Sequence, residues 1–248
     1  MAHVEIARED IELDSPVLIE GLPGVGLVGK LATDHVVDSF GMAYYGHIGC
    51  PGLPRVAIYH EHERAVLPPV RLYADEERDL LALQSEVPVS PTEVSDFAEC
   101  VTGLLESENA LPLYFTGLGT GVEGTDERQL FGIATGEGDA ILVEQGIDPP
   151  AETGVWSGPT GALLHRAEMV GQEAIGIIVE SDPQFPDPEA ACVLLEEVVN
   201  PVADVEIDVS ALRERVAEIR EQRKQFAQQM SETTEDHSSR ADPFRMFQ

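Results

Sequence analysis

Lysine is almost missing from this sequence. Only Lys30 and Lys224 occur in 248 residues, and all bases number 15 against 46 acids, a formal net charge of −31. A field of that sign repels phosphate backbones, which argues against nucleic acid as a partner. Cysteine is scarce too: Cys50, Cys100 and Cys192 stand far apart, and no CxxC occurs. That spacing suggests neither a disulfide framework nor a zinc knuckle, and it fits reduced core thiols in a cytoplasmic protein. No apolar run approaches 18 residues, so no membrane span is expected. The opening MAHVEIARED lacks the basic patch and apolar stretch of a secretory leader. Core formers, by contrast, are plentiful. Hydrophobic residues make up 43% of the chain, which separates it from disordered acidic proteins. The charge therefore reads as a heavily acidic surface on a folded protein, bearing on solubility rather than fold.

The chain is organised around residues 17–38. A short apolar run, Val17–Ile19, reads as a buried strand. Gly21, Gly24, Gly26 and Gly29 follow, and then Leu27, Leu31, His35 and Phe40 near helical spacing. The order is strand, glycine turn, helix. Val4–Ile6 reads as an edge strand, Met42–Ile48 as a second strand, and Val56–His60 as extended with Val66–Leu67 pairing nearby. Val70–Ala74 and Leu80–Ser85 flank Asp75-Glu76-Glu77-Arg78 as a hairpin.

Ser90-Pro91-Thr92-Glu93 has the form of a capping box. It predicts a helix whose apolar face is Val94, Phe97, Ala98, Val101, Leu104 and Leu105. Strands follow at Leu111–Thr116, Gln129–Ala134 and Ala174–Val179, with a second glycine loop at Gly117–Gly124. Short helices are expected at 139–146, at 162–170 and after the cap Asp187-Pro188. Strands alternating with helices predict an α/β fold: a mixed, mostly parallel central sheet flanked by helices. A core over residues 1–209 is followed by an amphipathic helix at 210–230 and a flexible tail at 231–248. In that helix Leu212, Val216, Ile219 and Phe226 form an apolar stripe, which must pack on its own domain or on another copy.

The glycine turn invites two ligand readings. Gly24, Gly26 and Gly29 satisfy GxGxxG, but a dinucleotide site also wants an acid about 20 residues on; Ile48, Gly49 and Cys50 stand there. With Lys30 the same residues satisfy GxxxxGK, but Leu31 replaces the hydroxyl that would hold Mg²⁺. The plainer reading is that the glycines allow a tight crossing and close packing. Lys30 then needs a nearby anion or carboxylate, since its charge opposes the helix dipole. Gly24, Gly26, Gly29 and Lys30 thus remain candidate anion-binding residues. His60-Glu61-His62-Glu63 lacks a third ligand at useful spacing, so no metal site is assigned. At the other end Phe244, Met246, Phe247 and Gln248 restore aromatic and apolar character after a polar tether. An apolar anchor, a ring and a carboxylate make a compact recognition element.

Three motifs together carry a resemblance: GLPGVGLVGKLA at 21–32, SGPTGALL at 157–164, and the strand Ala174–Val179 leading to DPEAA at 187–191. Over about residues 15–205 the chain resembles the proteasome assembly chaperone 2 family in its archaeal branch. Its acid excess is similar to that of proteins from salt-loving archaea, which implies a haloarchaeal member. The resemblance implies a domain like nucleoside phosphorylases without their catalytic residues, homo-oligomers, and a role in assembling the 20S proteasome. Some chaperones and activators of that particle end in hydrophobic–tyrosine–any residue, which docks between α-ring subunits. Met246-Phe247-Gln248 is similar, with Phe247 in the place of tyrosine. The expected function is a non-enzymatic chaperone that binds 20S α-subunits through Met246, Phe247, Gln248 and Phe244, with no cofactor. The alternative is a small-molecule or nucleotide-binding domain or enzyme, ATP-grasp-like or phosphorylase-like, built on the Gly21–Gly29 turn and Lys30.

Overall fold

Leu18 and Ile19 are neighbours in sequence and both are fully buried. Successive strand residues point to opposite faces, so this strand must be covered on both sides. The computed structural model, which describes residues 3–49, 53–59, 64–119 and 128–214, shows how. Leu18 joins one hydrophobic cluster and Ile19 another, on opposite faces of a single sheet.

The strands are β1 (His3–Ile6), β2 (Val17–Gly21), β3 (Ala43–Gly49), β4 (Val70–Asp75), β5 (Leu80–Ser85), β6 (Leu111–Gly119), β7 (Leu130–Thr135) and β8 (Ala174–Ser181). They are ordered β1-β3-β4-β5-β2-β6-β8-β7. The central four, β5, β2, β6 and β8, run parallel. Antiparallel strands flank them on both sides. The expected hairpin is β4–β5, and the expected pairing near Val66–Leu67 is an antiparallel bridge between Ile58 and Leu67. At the β7 edge, the outward amide of Gly132 donates to the Asp148 carbonyl at 2.9 Å.

Helix α1 (Val28–Phe40) covers one face together with α5 (Pro188–Leu194), which runs through a π-helical turn, Leu195–Val199, into α6 (Asn200–Ala203). Helices α2 (Val94–Ser107) and α4 (Gly158–Val170) cover the other, and α3 (Gly138–Glu144) lies against β7. Residues 210–214 begin a further helix. Its Leu212 is buried in the same cluster as α1 and α5, so at this position the stripe packs on its own domain. Val216, Ile219 and Phe226 lie outside the described residues. So do His60–Glu63 and the tail with Phe244, Met246, Phe247 and Gln248.

The capping box is not formed. The Glu93 amide donates to the Ser90 backbone carbonyl at 3.1 Å, and Ser90 Oγ instead meets Thr92. Helix α2 starts at Val94 without a side-chain cap. Serine followed by proline favours a β-turn as well as a helix start, and here the turn wins. The Asp187 cap does form, its carboxylate accepting from the Ala190 amide at 3.2 Å.

Candidate functional site

Parallel strands end together, and their C-terminal ends bring the three sequence motifs to one place. Where neighbouring connections leave the sheet on opposite faces, such an end forms a crevice. Strand β2 stands between β5 and β6 and finishes in Glu20-Gly21, at the mouth of the glycine turn.

Glu20 is fully buried. Its carboxylate accepts from the Leu22 amide at 2.9 Å, the Phe115 amide at 3.3 Å and Thr160 Oγ1 at 3.2 Å. One side chain therefore ties together the turn, β6 and the first turn of α4. Burial pushes its carboxyl up from 4.5 to about 7; the three donors pull the other way without cancelling it. Tyr114, buried beside it on β6, has its phenol raised by burial and then by the Glu20 charge.

The turn itself is filled by protein. Gly26 has φ of +63°, and a Cβ there would lie 1.9 Å from Ser181 Oγ. Ser181 is buried, and its hydroxyl has no hydrogen-bond partner among the described residues. A Cβ on Gly29 would meet the Glu20 carbonyl at 2.9 Å and Phe115 Cβ at 3.2 Å. Only Gly24 of the three candidate glycines has open space where a Cβ would go. The Gly26 carbonyl accepts from the Asp187 amide at 2.8 Å. Asp187 in turn pairs with Arg128 at 3.0 Å, both side chains buried. The motif at 21–32 thus meets 157–164 through Glu20 and Thr160, and meets 187–191 through Gly26 and Asp187.

Lys30 points elsewhere. Its ammonium bonds Asp34 at 2.8 Å and lies 3.8 Å from Glu86. These are the carboxylates its position at a helix start requires. Both belong to a larger network around Arg71, which is fully buried on β4. The Arg71 guanidinium donates to Tyr73 Oη at 3.1 Å, the Pro68 carbonyl at 3.0 Å, Gln84 Oε1 at 2.6 Å and both oxygens of Glu86. Gln84 passes the chain on to Asp34 at 2.7 Å. Two cations and two carboxylates close on each other here. For the anion reading this leaves Lys30 already engaged, and Gly26 and Gly29 spent on packing. Among the described residues no cluster of histidine, cysteine and acid side chains could hold a metal, and no helix is long and apolar enough to cross a membrane.

The comparisons give this arrangement its relatives. The model of the PAC2 family matches residues 18–227. The chain belongs to the PAC2 family. It is 32% identical over 231 residues to an uncharacterized protein of Methanocaldococcus jannaschii, covering 92% of each chain. Among solved structures it is similar to Pyrococcus furiosus PbaA, an archaeal homolog of proteasome-assembly chaperone, at 25% identity and TM-score 0.79, covering 95% of this chain and 96% of that one. It is also similar to Pyrococcus furiosus PbaB, an archaeal proteasome activator, at 25% identity and TM-score 0.76, covering 91% and 98%. The expected family and α/β architecture are both found.

Sequence reasoning missed Glu20, Arg71, Gln84 and the Arg128–Asp187 pair. Glu20 carried a signal, an acid closing an apolar strand just before a glycine turn. Arg71 carried one too, a lone base inside VRLYA, where a charge on a buried strand demands a partner. Arg128 and Asp187 are 59 positions apart, and nothing local joins them.

Proposed function

We propose that this PAC2 family protein is a non-enzymatic, cytoplasmic chaperone of 20S proteasome assembly that works as a homo-oligomer. The observation that carries the reading is near-complete overlap with PbaA at 25% identity and a TM-score of 0.79. The buried groups at the strand ends support it: Glu20 is held by two amides and Thr160, Asp187 is paired with Arg128, and both acids serve to join the three motifs, a structural use of charge. In this reading the core over residues 1–209 is a scaffold. The helix at 210–230, with Leu212, Val216, Ile219 and Phe226, carries the tail at 231–248 away from it. Phe244, Met246, Phe247 and Gln248 contact proteasome α-subunits. Several copies would multiply a weak tail contact through effective concentration.

Capture of proteasome α-subunits on immobilised full-length protein, in molar KCl, tests this. Removing the last three residues should reduce recovery at least about tenfold, the loss of roughly 1.4 kcal/mol per contact. Equal recovery removes the tail from the mechanism, and no recovery by the full chain removes the reading.

A further inference from the structure

After α6 the chain doubles back along the core. It reverses at Asp204, whose backbone is left-handed, with φ of +52°. The Val205 amide donates to the Asn200 carbonyl at 3.1 Å, and the Ile207 amide to Asn200 Oδ1 at 3.0 Å. His35 on α1 then donates from Nε2 to the Asp208 carbonyl at 2.7 Å. Arg213 bonds Glu196 at 2.7 and 2.9 Å and reaches the Cys192 thiol. The partners met in turn are Asn200, Glu196 and Cys192, so the returning path is antiparallel to α5. Ile207, Val209 and Leu212 are buried along it. The helix that starts at residue 210 therefore enters the seam where α1 packs on α5, heading for the glycine turn.

The seam ahead matches the sequence still to come. On α1, Leu31 stands one turn before His35 and is half-buried. On α5, Glu196, Val193 and Glu189 fall on one stripe, with Val193 half-buried. From α5 through its π-helical turn there are three acids, Glu189, Glu196 and Glu197, and no base. The helix at 210–230 is the reverse. It holds Arg213, Arg215, Arg220, Arg223 and Lys224, five of the 15 bases in the chain. Arg213, Val216 and Arg220 share a stripe at the spacing of Glu196, Val193 and Glu189. Glu189 lies seven positions before Glu196, and Arg220 seven after Arg213. Two antiparallel helices joined at Glu196 and Arg213 thus bring Val216 to Val193 and Arg220 to Glu189. Ile219, two turns on from the buried Leu212, continues the apolar stripe.

We infer that the α1–α5 seam is the docking surface for residues 215–220 of the same copy, with Val216 on Val193, Ile219 beside Leu31 and Arg220 at Glu189. The helix then leaves the core at the end of the sheet where α5 begins, beside the bond from Asp187 to Gly26. Residues 221–230 as helix add about 15 Å, so the tail is presented beyond the C-terminal ends of the parallel strands. The tail's role rests on the proposed function; the inference names the face from which it reaches a partner.

The scarcity of lysine supplies the test. Carbodiimide couples an amine to a carboxylate that touches it, and the chain has only Lys30 and Lys224 of its own. Full-length Arg220→Lys, treated in molar KCl, digested and read by mass spectrometry, should show a new link to Glu189. Adding Glu189→Gln should abolish that link. Arg213→Lys should link to Glu196, which checks the chemistry at a pair already in contact. Val216→Asp with Ile219→Asp, added to each, should lose the Glu189 link and keep the Glu196 link. Mixing with isotope-labelled protein reads whose helix is docked: links within one label are expected, and links between labels assign the seam to a second copy and overturn the inference. So does the absence of a Glu189 link where Arg213→Lys gives its own. Capture of α-subunits by the same proteins reads the chaperone proposal separately. Capture without the Glu189 link sinks the docking alone, and the link without capture sinks the chaperone alone.

Discussion

Glu20 should make the stability of this protein depend on pH in a direction opposite to most carboxylates. Its carboxyl is raised from 4.5 to about 7 by burial, so between those values the folded state holds a proton the unfolded state has released. Stability from this group is fully present below about pH 4.5 and is lost as the pH rises through about 7. At 1.36 kcal/mol per unit the shift is worth about 3 kcal/mol. The test compares wild type with Glu20→Gln by urea unfolding in molar KCl from pH 5 to 8. Glutamine removes the titration but costs a hydrogen bond. Leu22 and Phe115 both present amides to opposite ends of the carboxylate, and a carboxamide can accept at one end only. At pH 5, where Glu20 is itself protonated in the folded state, the wild type likewise turns a neutral end, its hydroxyl, toward one of the two amides, so the variant should fall below it by no more than about 1–3 kcal/mol. From pH 5 to pH 8 the variant should gain about 3 kcal/mol relative to wild type. The other acids contribute to both curves and drop out of the difference. Parallel curves across the range would refute the reasoning.

Three further outcomes follow from the same region. Gly26→Ala should destabilise by more than about 2 kcal/mol in thermal unfolding, since it meets both a left-handed backbone and Ser181; shortening the opposing side chain with Ser181→Gly should recover part of the loss. Arg71→Ala should cost more than about 2 kcal/mol in urea unfolding, because it empties a fully buried site and takes the donor from Gln84 and the Pro68 carbonyl; Lys30→Ala, which removes a partly exposed partner, should cost clearly less. Burial pushes the Cys192 thiol up to about 11, so alkylation at pH 8, followed by mass spectrometry, should label this site only after denaturation.

Most of the strands were legible because burial on both faces leaves runs such as Leu80–Leu83 and Ala174–Val179, which no surface segment of so acidic a chain would show. The glycine turn was legible for the same reason that its role was ambiguous. Glycines clear space, and only the tertiary neighbours, Ser181 and Phe115, say whether a ligand or the protein fills it. Ser90 misled because the residue types that favour a helix cap also favour a β-turn, and the choice lies in packing that begins at Phe97. The charge network around Arg71 was illegible because its members come from β4, β5 and α1, brought together by strand order alone.

The bond from Gly132 to Asp148 also limits how copies of this protein can meet. Sheets join when one border presents free amides to another, and strongly hydrating salts favour any association that removes surface from water. At the middle of β7 the donor that would greet a neighbouring sheet is already satisfied from within. Zipping two sheets border to border at that position would first require breaking an internal bond.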